Sequence, residues 1–151
     1  MKKYLLVLLV ALTSLSACKK DKFDAAKQAE TDENIIKKYL TDNGITATRH
    51  SSGLYYKIIT EGTGANATSS STVTVNYVGI LPSGSQFDKN NGITFPLTNV
   101  IQGWQIGIPL VKTGGRIQLF VPSALGYAQK AQSGIPANSV LIFTVDLLSI
   151  N

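Results

Sequence analysis

Three rhythms of apolar residues divide the chain. Leu5 to Leu12 is an unbroken apolar run behind Lys2 and Lys3. It reads as the charged start and hydrophobic centre of a secretion signal, too short to span a bilayer comfortably. Between Asp32 and Leu40 the spacing becomes three and four. Ile35, Ile36, Tyr39 and Leu40 share one face, Asp32 is placed to cap them, and Asn43-Gly44 ends the helix. From Arg49 onward the period falls to two. Leu54, Tyr56 and Ile58 alternate with Tyr55, Lys57 and Ile59, and Val73, Val75 and Tyr77 fall on one face of Thr72 to Ile80. The same alternation recurs at Ile117, Leu119 and Val121, and again at Leu141, Phe143, Val145 and Leu147 in a last strand from about Val140 to Ile150.

The rest is read around those strands. Leu81-Pro82-Ser83-Gly84 is a turn, Gln86-Phe87-Asp88 a short returning strand, and Thr94 to Leu97 an extended piece that Pro96 holds to an edge or bulge. One helical pattern interrupts them. Val100, Ile101, Trp104 and Ile108 share a face, with Asn99 as the cap and Gly107 before Pro109 as the stop. That helix is too short to stand alone in water and must be held by packing. Ser123 to Asn138 reads as a long loop, and Lys19 to about Thr31 as a polar tether. A row of strands with a helix in one long connection argues an α+β fold with an antiparallel sheet.

Composition narrows the chemistry. The chain has 151 residues, 44% hydrophobic and 15% charged, which fits a folded globule with one core. The formal net charge is +5, but the lysines are scattered with no basic stripe among aromatics, so nucleic acid is not an expected partner. A single cysteine, Cys18, excludes a disulfide within the chain, and the single histidine, His50, is read as an exposed linker residue. No ligand types gather at metal spacing, so neither a metal nor a cofactor is expected. Any catalysis must run on desolvation and hydrogen bonds. Leu15-Ser16-Ala17-Cys18 resembles the bacterial lipobox. That resemblance implies cleavage before Cys18 and lipidation there, since ordinary secretory cleavage wants a small residue where Leu15 stands. The expected result is an extracytoplasmic, lipid-anchored protein. Lys19 does not look like an inner-membrane retention signal, which favours the outer membrane of a Gram-negative cell.

Six segments together resemble the FKBP family of peptidyl-prolyl isomerases. They are Val75-Asn76-Tyr77-Val78-Gly79, Gly84 to Asp88, Phe95 to Trp104, Lys112 to Arg116, Val121 to Tyr127 and Leu141 to Leu148. The resemblance covers roughly Ser52 to Ile150, and it implies a half-barrel sheet of five or six strands curved around the short helix. The domains are then a signal at 1–17, a tether and short helix at 18–48, and the isomerase domain at 49–151.

The resemblance also implies a pocket for a prolyl side chain. Trp104 would be its floor and Tyr77, Phe87 and Phe143 its walls. The Tyr127 hydroxyl and the Ile101 backbone N–H would bond the substrate backbone, and Asp88 would be the charge at the rim. Val100, Ile93 and Ile135 would complete the substrate contacts. The implied partners are proline-containing polypeptides, with macrolides as inhibitors. A second reading is a peptide-binding chaperone with little turnover. Departures from the family pattern are Ile93 in place of an aromatic, Ala128 in place of a Gly, Gly134 in place of a branched residue, and Ala137 in place of a Pro.

Overall fold

The computed structural model describes residues 22–151. The signal segment and Cys18 lie outside the described residues. Six strands form one antiparallel sheet: β1 (Thr48–Arg49), β2 (Tyr55–Thr60), β3 (Thr72–Ile80), β4 (Gln86–Pro96), β5 (Arg116–Val121) and β6 (Leu141–Ile150). Their order is β1-β2-β5-β6-β3-β4. β3 and β6 sit side by side, with Tyr77 opposite Val145 and Gly79 opposite Phe143. Shifts of register in β2–β5, β3–β4 and β3–β6 curl the sheet.

Two helices take opposite faces. The short helix α2 (Gln102–Gly107) lies in the β4–β5 connection against the concave face. Gly103 and Gly107 make this possible. A Cβ at either would come within 2.5 Å of Val121 or Leu119, so the helix backbone rests directly on β5. Around it the main core collects Val73, Val75, Leu97, Trp104, Ile108, Ile117, Leu119 and Val145. The long helix α1 (Ala25–Asp42) covers part of the other face. There Ile36 and Leu40 pack with Tyr55, Phe120, Val140 and Ile142 in a second, separate core.

Several expectations hold and several change. Alternation placed β3 and β5 at their observed bounds. The two extended pieces around Phe87 and Phe95 are instead one 11-residue edge strand, β4, with Pro96 as its last residue. The N-terminal helix starts at Ala25, not Asp32, and Asp24 caps it by accepting from the Ala26 and Lys27 N–H groups at 3.0 and 3.1 Å. Its first two turns, Ala25 to Thr31, bury nothing large and so show no apolar period, although Ala, Lys, Gln and Glu are strong helix formers. Asn99 is not the cap of α2. It ends a 3-10 turn over Leu97–Asn99, and the extended Ile101 stands at the cap position without a side-chain bond. The α-helix does stop at Gly107, as Gly107 before Pro109 predicts, and Pro109 sits in the 3-10 turn Ile108–Leu110 that follows it. His50 is half-buried, its Nδ1 2.9 Å from the Ser52 hydroxyl.

Candidate functional site

The concave face opens into a cavity of about 560 Å³. β3 supplies Tyr77, β6 supplies Phe143, and α2 supplies Trp104 from below. Trp104 and Phe143 are each 4% exposed. Tyr77 meets the indole edge-to-face, centroids 5.0 Å apart at 85°, and Phe143 meets it at 5.2 Å and 86°. Phe87 in turn stands against Phe143 at 5.5 Å and 87°. Edge-to-face contacts of this kind fix ring orientations, because the positive edge of one ring lies on the negative face of the next.

A local irregularity brings Phe87 and Asp88 to the cavity together. Gly79 pairs with Asp88 while Ile80 pairs with Gln86, so Phe87 is an extra residue in β4. A bulge re-aims side chains that strict alternation would send to opposite faces. Gly79 then leaves room for the ring. A Cβ there would lie 2.6 Å from Phe87 and 3.0 Å from Phe143. The sequence marks Gly79 only as a break in the alternation of β3, and its seating of both rings is visible only in three dimensions.

The polar groups are few. The Tyr77 hydroxyl donates to Asp88 Oδ2 at 2.6 Å, and the Lys89 N–H donates to Asp88 Oδ1 at 2.8 Å. Burial, and then the bond to Asp88, push the Tyr77 phenol well above its ordinary pKa. It therefore stays protonated and remains a donor. Among the described residues no group accepts from the Ile101 N–H, and the buried Trp104 indole N–H has no partner. Tyr127 stands at the mouth, 36% exposed. Among the described residues no three His, Cys, Asp or Glu side chains gather as a metal site, and no helix is long and apolar enough to cross a membrane.

All ten residues expected at the pocket line this one cavity: Tyr77, Phe87, Asp88, Ile93, Val100, Ile101, Trp104, Tyr127, Ile135 and Phe143. Four others were missed: Phe95, Asn99, Gln132 and Ser133. Phe95 packs on Trp104 at 5.5 Å, and its place two residues after Ile93 on one strand was a usable signal. Gln132 and Ser133 come from a tight turn that the Gln132 and Ile135 backbones close on each other at 2.9 and 3.0 Å, with Gly134 at φ +75°. No periodicity could have pointed that turn at the cavity.

A family model described as FKBP-type peptidyl-prolyl cis-trans isomerase matches residues 64–148. The FKBP-type peptidyl-prolyl cis-trans isomerase FkpA of Escherichia coli strain K12 is 36% identical over 139 residues, covering 89% of this chain and 51% of that protein. A probable FKBP-type isomerase of Haemophilus influenzae is 45% identical over 105 residues, 66% of this chain and 44% of that one. The chain spans about half the length of the curated relatives it matches. The crystal structure of E. coli FkpA superposes with a TM-score of 0.73 at 36% identity, over 85% of this chain and 61% of that one. A peptidyl-prolyl isomerase from Pseudomonas syringae pv. tomato gives 0.73 at 25% identity, over 86% and 98%.

Proposed function

The chain belongs to the FKBP-type peptidyl-prolyl cis-trans isomerases, and from that premise we propose that it speeds rotation about Xaa–Pro bonds in extracytoplasmic polypeptides. One observation carries the reading: Tyr77, Phe95 and Phe143 converge on Trp104 with centroids within 5.5 Å. The uncatalysed rotation takes tens to hundreds of seconds because twisting the amide forfeits its resonance, a barrier of about 20 kcal/mol. The planar amide is the charge-separated form, and water favours it. A ring-walled cavity withdraws that solvation, so the planar state loses more than the twisted one.

The remaining groups fit substrate positioning. The open Ile101 N–H and the Tyr127 hydroxyl hold the peptide backbone, so that rotation has a fixed end. Tyr77, locked to Asp88, keeps its ring upright as a wall. Ile93, Val100 and Ile135 give the proline ring and its neighbours apolar contact. Macrolides that present a proline-like ring are the expected inhibitors. The test is a proline-peptide isomerisation assay on the purified protein with varied residues before proline. Acceleration at micromolar enzyme supports the reading, and none from a folded sample rejects it.

A peptide-binding chaperone with little turnover is the second reading, favoured by the altered loop, where Ala128 is held at φ +50°. A Phe87→Ala variant that loses isomerase activity yet still suppresses client aggregation supports it. The lipobox-like Leu15 to Cys18 segment supports attachment to a membrane through a lipid on Cys18. Several acyl chains, at about 0.8 kcal/mol per buried methylene, suffice to hold a small domain, and the outer membrane is the proposed site. Radiolabelled palmitate should enter the wild-type protein in cells and not a Cys18→Ala variant.

A further inference from the structure

Asp32 is the buried carboxylate among the described residues, 1% exposed, halfway along α1 and not among the residues that line the cavity. A carboxylate out of water has to be met by donors. Its Oδ1 accepts from Gln28 Nε2 at 2.8 Å. Its Oδ2 accepts twice from one residue, from the Ser123 N–H at 2.8 Å and the Ser123 hydroxyl at 2.6 Å. Ser123, itself 2% exposed, opens the 3-10 turn Ser123–Leu125.

The chain of bonds continues toward the cavity. The Ser123 carbonyl accepts from the Gly126 N–H at 3.0 Å and the Ala128 N–H at 2.8 Å. The Ala128 carbonyl accepts from the Asn138 N–H at 2.7 Å, which closes the loop at its far end. This loop brings Tyr127, Gln132, Ser133 and Ile135 to the cavity. Ala128 and Asn138, the two residues at its neck, both have positive φ, +50° and +57°. Such a conformation in a non-glycine residue persists only when its surroundings enforce it.

We infer that Asp32 is a positioning residue, which holds Ser123 and through it the Tyr127–Asn138 loop against the cavity. The helix on the outer face of the sheet thereby reaches the site on the inner face. The loop part of this claim rests on geometry alone, and its effect on turnover rests on the isomerase reading.

The test compares the purified protein with Asp32→Asn and Ser123→Ala, by amide hydrogen exchange and by kcat/KM on a proline peptide. Asp32→Asn should speed exchange at the Ala128 and Asn138 N–H groups about tenfold relative to amides of β5 and β6. It should lower kcat/KM about fivefold or more, through displaced loop contacts. On a Tyr127→Phe background the same change should cost less than about twofold, because the two act through one loop. Ser123→Ala keeps the N–H bond and loses only the hydroxyl, so it serves with smaller shifts if the first variant fails to fold. An Asp32 that merely ties α1 down would speed exchange throughout the second core and leave the loop no worse than the rest. That result, or a kcat/KM within about twofold of wild type in an active enzyme, overturns the inference. If the wild-type protein does not catalyse the rotation, the isomerase reading falls, and the exchange result alone decides whether Asp32 holds the loop.

Discussion

Leu119 and Phe120 are consecutive in β5, yet they serve opposite sides of the sheet. Phe120 pairs with Ile142 of β6 and is sealed under α1, with no solvent exposure. Leu119 pairs with Phe143, whose ring turns into the open cavity. On the convex face an 18-residue helix covers the strands and the rings are packed shut. On the concave face a six-residue helix covers less, and the aromatic walls stand around a space. The contrast separates two uses of aromatic area. Burying it against neighbours stabilises the fold, and leaving it one ring short of contact leaves a place for a ligand ring.

The largest effect expected is on the closed side. Phe120→Ala should cost about 3–5 kcal/mol of stability, since it empties a packed core. Denaturant unfolding checks this, and kcat/KM per folded molecule should stay near wild type at temperatures where the variant is folded. A matching loss of activity per folded molecule would break the separation of the two faces. On the open side, Phe87→Ala should lower kcat/KM about 10–100-fold, or ~1.4–2.7 kcal/mol of transition-state stabilisation. Its stability cost should be smaller than that of Phe120→Ala, because Phe87 is only half-buried.

A smaller change concerns the loop that overhangs the cavity. Ala128→Gly relieves a left-handed residue at the cost of a freer unfolded chain, and should raise stability by about 0.5–1 kcal/mol. Thermal unfolding reads it. The smallest effect is on the helix side. Hydrogen bonds from Lys37 and then Tyr55 hold the Glu33 carboxyl down at about 2, against an ordinary 4.5. A depressed carboxylate gives stability that is complete above its unfolded value and lost as pH falls toward its folded one. Unfolding midpoints should therefore drop between about pH 4.5 and 2, and Glu33→Gln should flatten that part of the curve.

Legibility in the sequence follows the same division. Strands with one face in the core announced themselves by alternation, and β3 and β5 needed nothing more. The ten expected lining residues became legible through resemblance, since Trp104 or Phe143 taken singly reads as ordinary core. Features that break periodicity stayed hidden. The β4 bulge that turns Phe87 and Asp88 inward has no signature in hydrophobic pattern. Asp32 looked like a helix cap because buried acids are rare, and its partner lies 91 residues away. The first turns of α1 bury no large side chain and so lack an apolar period, which leaves the Asp24 cap and the strong helix formers after it as the marks of where the helix begins.

The most direct test measures catalysed isomerisation of an Xaa–Pro peptide by the wild-type protein beside Trp104→Leu, with both shown folded by hydrogen exchange. Micromolar wild-type protein should clearly accelerate the rotation. Replacing the aromatic floor should lower kcat/KM at least about tenfold. A folded wild-type protein that leaves the peptide at its uncatalysed rate, or a Trp104→Leu variant as fast as wild type, would refute catalysis by the ring-walled cavity.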